Sequence, residues 1–79
     1  SVINNVELVE MPAPPAMKLV KVLSIGPGGS AQVMVNGAMQ TVNVGSMLNS
    51  YKVKEIHVDK LLLLDPATGN ESFLYRLDE

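Results

Sequence analysis

Apolar and polar residues alternate along most of the chain with a period of two, which is typical of β-strands. The clearest case is a pair of runs, residues 31–35 and 38–44, that flank Asn36 and Gly37. Asn-Gly favours a type I′ turn, because that turn needs a positive φ at both central positions. We therefore predict a β-hairpin centred on these two residues.

The predicted hairpin has one apolar and one mixed face. A two-residue turn places Val35 opposite Ala38 and Ala31 opposite Val42. The apolar face should belong to the core; it carries Ala31, Val33, Val35, Ala38, Val42 and Val44. The second face should be solvated or used for binding, because two methionines lie opposite each other; it carries Gln32, Met34, Met39, Thr41 and Asn43.

The first predicted strand, residues 18–25, is apolar on both faces. Leu19, Leu23 and Ile25 share one parity, whereas Val20 and Val22 share the other. Either both sides of this strand are covered or one side is left for a partner. The Gly-rich segment 26–30 that follows is predicted to be a turn, since it lacks the residues of a phosphate-binding loop.

Further strands are predicted in the second half of the chain. Residues 45–50 form a tight corner from which Leu48 enters the core. Residues 51–58 change their apolar phase midway, which indicates a β-bulge near Lys54 and Glu55. In residues 61–64, Leu61 and Leu63 are predicted to pair with Val58 and Ile56, while Leu62 and Leu64 need cover from elsewhere, such as a second sheet.

A last strand is predicted over residues 71–77, after a turn at residues 65–70. Phe73, Tyr75 and Leu77 share one face, and we expect that face to be core. No window shows the 3.6-residue period of an amphipathic helix.

These elements predict an all-β fold, a small β-sandwich or partly open barrel of five to seven short, mostly antiparallel strands. Residues 1–17 should form an extended, Pro-rich N-terminal segment, and residues 18–79 a β-sandwich interaction domain. The stretch 11–17 contains three prolines, which favour an extended, semi-rigid linker.

The composition argues against several classes of function. The 79 residues are 47% hydrophobic, carry a net charge of −2 and have a pI near 5.2. This balance argues against a nucleic-acid partner, which needs a basic surface. The chain has no cysteine, so it has neither a disulfide framework nor a thiolate metal site. The longest apolar run, residues 61–64, is too short to cross a bilayer.

One polar cluster invites a chemical interpretation. His57, the only histidine, is flanked at two-residue spacing by Glu55 and Asp59. Zinc normally takes four ligands, and no second histidine or cysteine completes a set. A metal-binding domain is therefore a less favoured alternative. We expect no cofactor, no catalytic residues, no small-molecule substrate and no enzymatic activity. A second alternative is a small-barrel peptide-binding adaptor with an aromatic groove built from Tyr51, Phe73 and Tyr75.

The order of segments resembles the periplasmic domain of PilP-type pilus biogenesis proteins and the homology region of the type II secretion inner-membrane C protein. The most specific part is the corner V-G-x-x-L, followed by V-x-x-I-x-x-D-x-L-L-L. The longer turn at 65–70 departs from the shorter turn that is common in the secretion proteins. The resemblance covers residues 18–77, with motif segments at 19–25, 33–37, 42–48, 53–64, 69 and 74–77.

This resemblance implies a function in type IV pilus assembly or a related secretion system. The domain would be a periplasmic β-sandwich, tethered to the inner membrane through a segment outside this chain. It would bind the N-terminal domain of the outer-membrane secretin and link it to inner-membrane pilus assembly proteins. In the secretion relatives the first strand and the neighbouring face make the contact. Carried over, this implies that the partner-binding residues are Lys18, Val20, Val22, Ser24, Gln32, Met34, Met39 and Thr41.

Overall fold

A computed structural model describes residues 16–76, which form an all-β domain of seven strands. The predicted N-terminal segment lies outside the described residues except for residues 16 and 17, as does Leu77. The strands are β1 (Met17–Ser24), β2 (Ser30–Val35), β3 (Ala38–Asn43), β4 (Met47–Leu48), β5 (Tyr51–Ile56), β6 (Lys60–Leu64) and β7 (Glu71–Tyr75).

The strands form two antiparallel sheets, one with the order β1-β2-β3 and one with the order β4-β5-β6-β7. A single parallel bridge between Leu19 and Arg76 connects the first strand of one sheet to the end of the other. At the opposite end, the N–H of Gly26 donates to the carbonyl of Ile56 (3.3 Å). The predicted fold class, an all-β sandwich or partly open barrel of five to seven short strands, is confirmed.

The β2–β3 hairpin forms as predicted. Asn36 and Gly37 have φ values of 49° and 85°, as a type I′ turn requires. Val35 pairs with Ala38 and Ala31 with Val42, without a register shift. Of the residues expected in the core, Ala38 is exposed because it lies at the tip of the hairpin.

Strand β1 departs from the simple alternation that its sequence suggested. Its pairing with β2 shifts register between Leu19 and Lys21 and again between Val22 and Ser24. Each shift inserts one extra residue, so the parity of the strand changes at Val20. Val22 therefore lies on the inner side and packs against the core, and the prediction that Val20 and Val22 share an outer face is wrong.

The bulge predicted in the next long strand is confirmed, because the pairing of β5 with β6 shifts between Val53 and Glu55. The predicted register beyond it is wrong. Leu61 pairs with Ile56, and Leu63 pairs with Val53. The reason is that β5 ends at Ile56 and the N–H of His57 donates to the carbonyl of Lys60 (2.9 Å), which leaves Val58 in the turn.

Both sheets contribute side chains to the core. The largest fully buried side chains include Leu19 and Val33 from the first sheet and Leu48, Val53 and Leu61 from the second. Leu48 is buried as the sequence predicted. Around this cluster lie partly buried side chains that complete the packing: Met17, Val22, Val44, Tyr51 and Leu74.

Strand β7 turns its aromatic side chains outward, which contradicts the expectation that they belong to the core. Phe73 is 45% and Tyr75 54% exposed, whereas Leu74 packs against the core. The β6–β7 register explains this, because it pairs Leu61 with Leu74 and Leu62 with Phe73. The inward positions of β6 are those of Leu61 and Leu63, so the aromatic residues must lie on the outer face.

In the described part of the chain, no helix has the length and apolar character needed to span a membrane.

Candidate interaction surface

The side of the three-stranded sheet that faces away from the core carries most of the residues predicted to bind a partner. Cross-strand pairing arranges them in rows. One row joins Lys18, Met34 and Met39, and the next joins Lys21, Gln32 and Thr41. A third row at the far end consists of Ser24, Ser30 and Asn43. We call these three rows the outer face of the first sheet.

The structure brings together six of the eight predicted residues on this outer face and separates the other two. The six are Lys18, Ser24, Gln32, Met34, Met39 and Thr41. Val20 is the extra residue of the first bulge and is half-buried. Val22 lies on the opposite side of the sheet against the core, so it is unsuited to contact a partner.

The outer face combines soft apolar surface with positive charge. Met39 is 49% exposed and its cross-strand neighbour Met34 is half-buried. Methionine side chains are flexible and adapt to the shape of a binding partner. Lys18 and Lys21 border the methionines on β1, and the three rows contain no acidic residue. This combination suits a partner with an apolar patch next to carboxylates.

A tight turn fixes the far end of this face. The N–H of Ser30 donates to the hydroxyl oxygen of Ser24 (3.1 Å), and the N–H of Gly29 donates to the carbonyl of Gly26 (2.9 Å). A Cβ atom at Gly29 would lie 2.6 Å from the backbone oxygen of Ser24. Glycine is therefore required at this position for the β1–β2 turn to close.

The sequence analysis missed a groove at one end of the sandwich. Apolar side chains that include Ile25, Val44, Ile56 and Val58 line an open groove of about 720 Å³. Ile25 and Val58 are 61% and 70% exposed, respectively. The sequence signal for this groove was the position of Ile25 and Val58, two apolar residues in or next to turns. The alternating strand pattern assigns neither of them a place in the core.

Two polar residues beside this groove, His57 and Glu55, are hydrogen-bonded to each other. His57 Nε2 lies 2.8 Å from Glu55 Oε1. Among residues 16–76, no group of three or more His, Cys, Asp or Glu side chains is arranged to hold a metal ion. The strand ends before His57, so the alternation that would place Asp59 on the same face as Glu55 and His57 is lost.

The outer side of the four-stranded sheet carries an aromatic pair. The ring centroids of Phe73 and Tyr75 are 5.8 Å apart, and Lys60 Nζ lies 4.7 Å and 5.8 Å from the two centroids. These distances are within the range of cation–π contacts. Tyr51 instead packs against the core cluster, so the three aromatic residues do not form the single groove considered from the sequence.

Next to this aromatic pair, Lys54 donates a hydrogen bond to the carboxylate of Glu71. That hydrogen bond and the negative charge of Glu71 raise the pKa of Lys54 above its ordinary value. Both side chains are well exposed, so solvent screens the pair.

No protein-family model, curated protein or solved structure matches this chain.

Proposed function

We propose that this domain is a non-enzymatic protein-interaction module that binds its partner through the outer face of the first sheet. The observation that carries the proposal is the row of Lys18, Met34 and Met39 on the side of the sheet away from the core. Adaptable apolar surface flanked by charge is typical of protein recognition.

For the partner we propose the N-terminal periplasmic domain of an outer-membrane secretin. Its support is the sequence resemblance to pilus and secretion connector domains, whose contact strand corresponds to β1. On this proposal the domain acts in the periplasm and links the secretin to inner-membrane assembly proteins. The positive charge of Lys21 on the outer face favours acidic groups on the secretin domain, next to an apolar patch.

A binding measurement with a matched control tests the proposal. Met39 and Met47 have nearly equal exposure, 49% and 53%, but lie on different sheets. Met39→Asp places a carboxylate in the apolar part of the binding face, next to Met34, so it should weaken binding of the cognate secretin domain by about tenfold or more. Met47→Asp should leave the dissociation constant unchanged. Isothermal titration calorimetry measures both.

The salt dependence of binding tests the charged part of the surface. If Lys18 and Lys21 face acidic groups, the association rate should fall as ionic strength rises, because salt screens exposed charges. Equal loss of affinity in Met39→Asp and Met47→Asp, or no binding to any cognate secretin domain, would contradict the proposal.

A further inference from the structure

We infer that β3 is an open pairing edge through which two copies of this domain associate as an antiparallel, two-fold dimer. This association involves the backbone edge of β3 and does not require the proposed secretin partner, which would contact the side chains on the outer face. It would extend the first sheet from three strands to six.

The backbone groups on the free side of β3 follow from its register with β2. The turn makes Val35 and Ala38 a hydrogen-bonded pair, and such pairs alternate with non-hydrogen-bonded ones. The six pairs continue without a shift. Consequently Met39, Thr41 and Asn43 direct their N–H and C=O groups away from β2, toward the free side.

Among residues 16–76, hydrogen-bond partners are found for the outward N–H and C=O groups of Asn43 alone. The N–H of Asn43 donates to Ser46 Oγ (3.0 Å), and the carbonyl of Asn43 accepts from the N–H of Ser46 (3.0 Å). β3 is the terminal strand of its sheet, and within residues 16–76 no strand pairs with its outer side. Met39 and Thr41 are exposed, so two donors and two acceptors are presented to solvent.

The two edges of the first sheet differ in how they resist such pairing. β1 carries Lys18 and Lys21, is interrupted by two register shifts and is bridged to Arg76. Charges, bulges and covering segments are the usual protection of a sheet edge. β3, with the sequence AMQTVN, has no charge, no proline and no bulge.

A second copy of β3 is complementary to these exposed groups, and the strand carries no charge that would oppose self-pairing. A two-fold axis at Gln40 places Met39 opposite Thr41 of the second copy, and Thr41 opposite Met39. Because these residues alternate around Gln40, all eight exposed N–H and C=O groups of the two copies pair in four hydrogen bonds. The strand is uncharged, so bringing two identical copies together causes no like-charge repulsion.

A cysteine cross-link tests the dimer directly, since the chain contains no cysteine of its own. In the proposed register the two Gln40 residues form a non-hydrogen-bonded pair with a Cα separation of about 4.5 Å, which is within disulfide range. Gln40→Cys should therefore give a covalent dimer under mild copper-phenanthroline oxidation. Met47→Cys, on an edge strand of the other sheet, is the matched control and should remain mostly monomeric. Equal cross-linking of the two variants would overturn the proposal.

A second variant tests the pairing of the two β3 strands without a cross-link. Edge pairing of one strand buries little area, so sedimentation velocity should show a reversible monomer–dimer equilibrium only at about millimolar concentration. Thr41→Pro removes an outward-facing N–H without removing a β2–β3 hydrogen bond, and should abolish the dimer while the circular dichroism spectrum is retained. A monomeric wild type at millimolar concentration would contradict the inference, as would a dimer that persists in Thr41→Pro.

Discussion

The outer faces of the two sheets both carry exposed apolar side chains, yet they differ in how those side chains are arranged. On the four-stranded sheet, Lys60 lies over the rings of Phe73 and Tyr75, so a charged side chain covers part of the apolar surface. On the three-stranded sheet, Met34 and Met39 lie side by side, and no strand within residues 16–76 pairs with the adjacent strand edge.

This difference indicates which surface is available to a partner. Long cationic side chains shield apolar surface while their charged ends stay in water. The aromatic pair with Lys60 is therefore partly satisfied within its own sheet. The side chains of Met34 and Met39 are flexible, and lysines border them only on the β1 side. The surface of the two methionines is therefore accessible to a partner.

The largest expected loss of stability comes from a substitution in β6, a strand with one side in the core and the other on the outer face of the second sheet. Leu61 is fully buried, whereas Leu62 lies on the outer side and is 9% exposed. Leu61→Ala should lower the free energy of unfolding by about 2–5 kcal/mol, because it leaves a cavity in the core. Leu62→Ala should cost less, about 1–2 kcal/mol, since mainly a transfer contribution is lost. Urea denaturation measures both, and the reverse order would contradict the assignment of faces.

A pair of adjacent glycines tests the turn that holds the first sheet together. Gly29→Ala brings a methyl group against the backbone oxygen of Ser24, so it should destabilise the domain by about 1–3 kcal/mol. Gly28→Ala meets no atom within 4 Å and should be nearly neutral. Thermal unfolding of the two variants provides the comparison, and equal melting temperatures would show that the turn is not so closely packed.

The aromatic pair should contribute modestly to stability and not to partner binding. Phe73→Ala removes the ring nearest to Lys60, which should cost about 0.5–1 kcal/mol at this exposed site. Affinity for the secretin domain should be unchanged, in contrast to Met39→Asp. A Phe73→Ala variant that loses binding would move the interaction surface to the second sheet.

The smallest expected effect concerns the exposed ion pair of the second sheet. Glu71 raises the pKa of Lys54 above 10.5, so the pair stabilises the fold below that pH and the contribution is lost as the pH rises through the raised pKa. Glu71→Gln should therefore lower the melting temperature slightly near neutral pH, and the difference from wild type should shrink as the pH rises above 10.5 and Lys54 loses its proton. A difference in melting temperature that grows with pH would contradict a stabilising ion pair between Lys54 and Glu71.

The strands and the hairpin were predictable from the sequence because they depend on local signals. The Asn36-Gly37 turn determines the register of β2 and β3, and the phase change around Lys54 revealed a bulge. The bulge at Val20 was not predictable, since both parities of that strand are apolar and alternation cannot locate an extra residue. Which residues share the outer face of the first sheet was therefore predicted correctly on the hairpin and only in part on β1.

The outward orientation of Phe73 and Tyr75 was missed for a related reason. Aromatic residues on one face normally indicate core, but the register of β7 is determined by its pairing with β6 across a six-residue turn. That turn closes through Asp65, whose carbonyl accepts from the N–H of Gly69 (2.7 Å), and its geometry decides which parity faces inward. No pattern within the strand itself carries this information.

The most direct test of the central claim is an NMR titration of the isotope-labelled domain with the N-terminal domain of the cognate secretin. The account predicts that the largest amide shift changes fall on Lys18, Met34 and Met39 and their neighbours on the outer face of the first sheet. The amides of Glu71–Tyr75 should stay in place. Largest changes on that strand, or around Ile25 and Val58 in the end groove, would contradict the account.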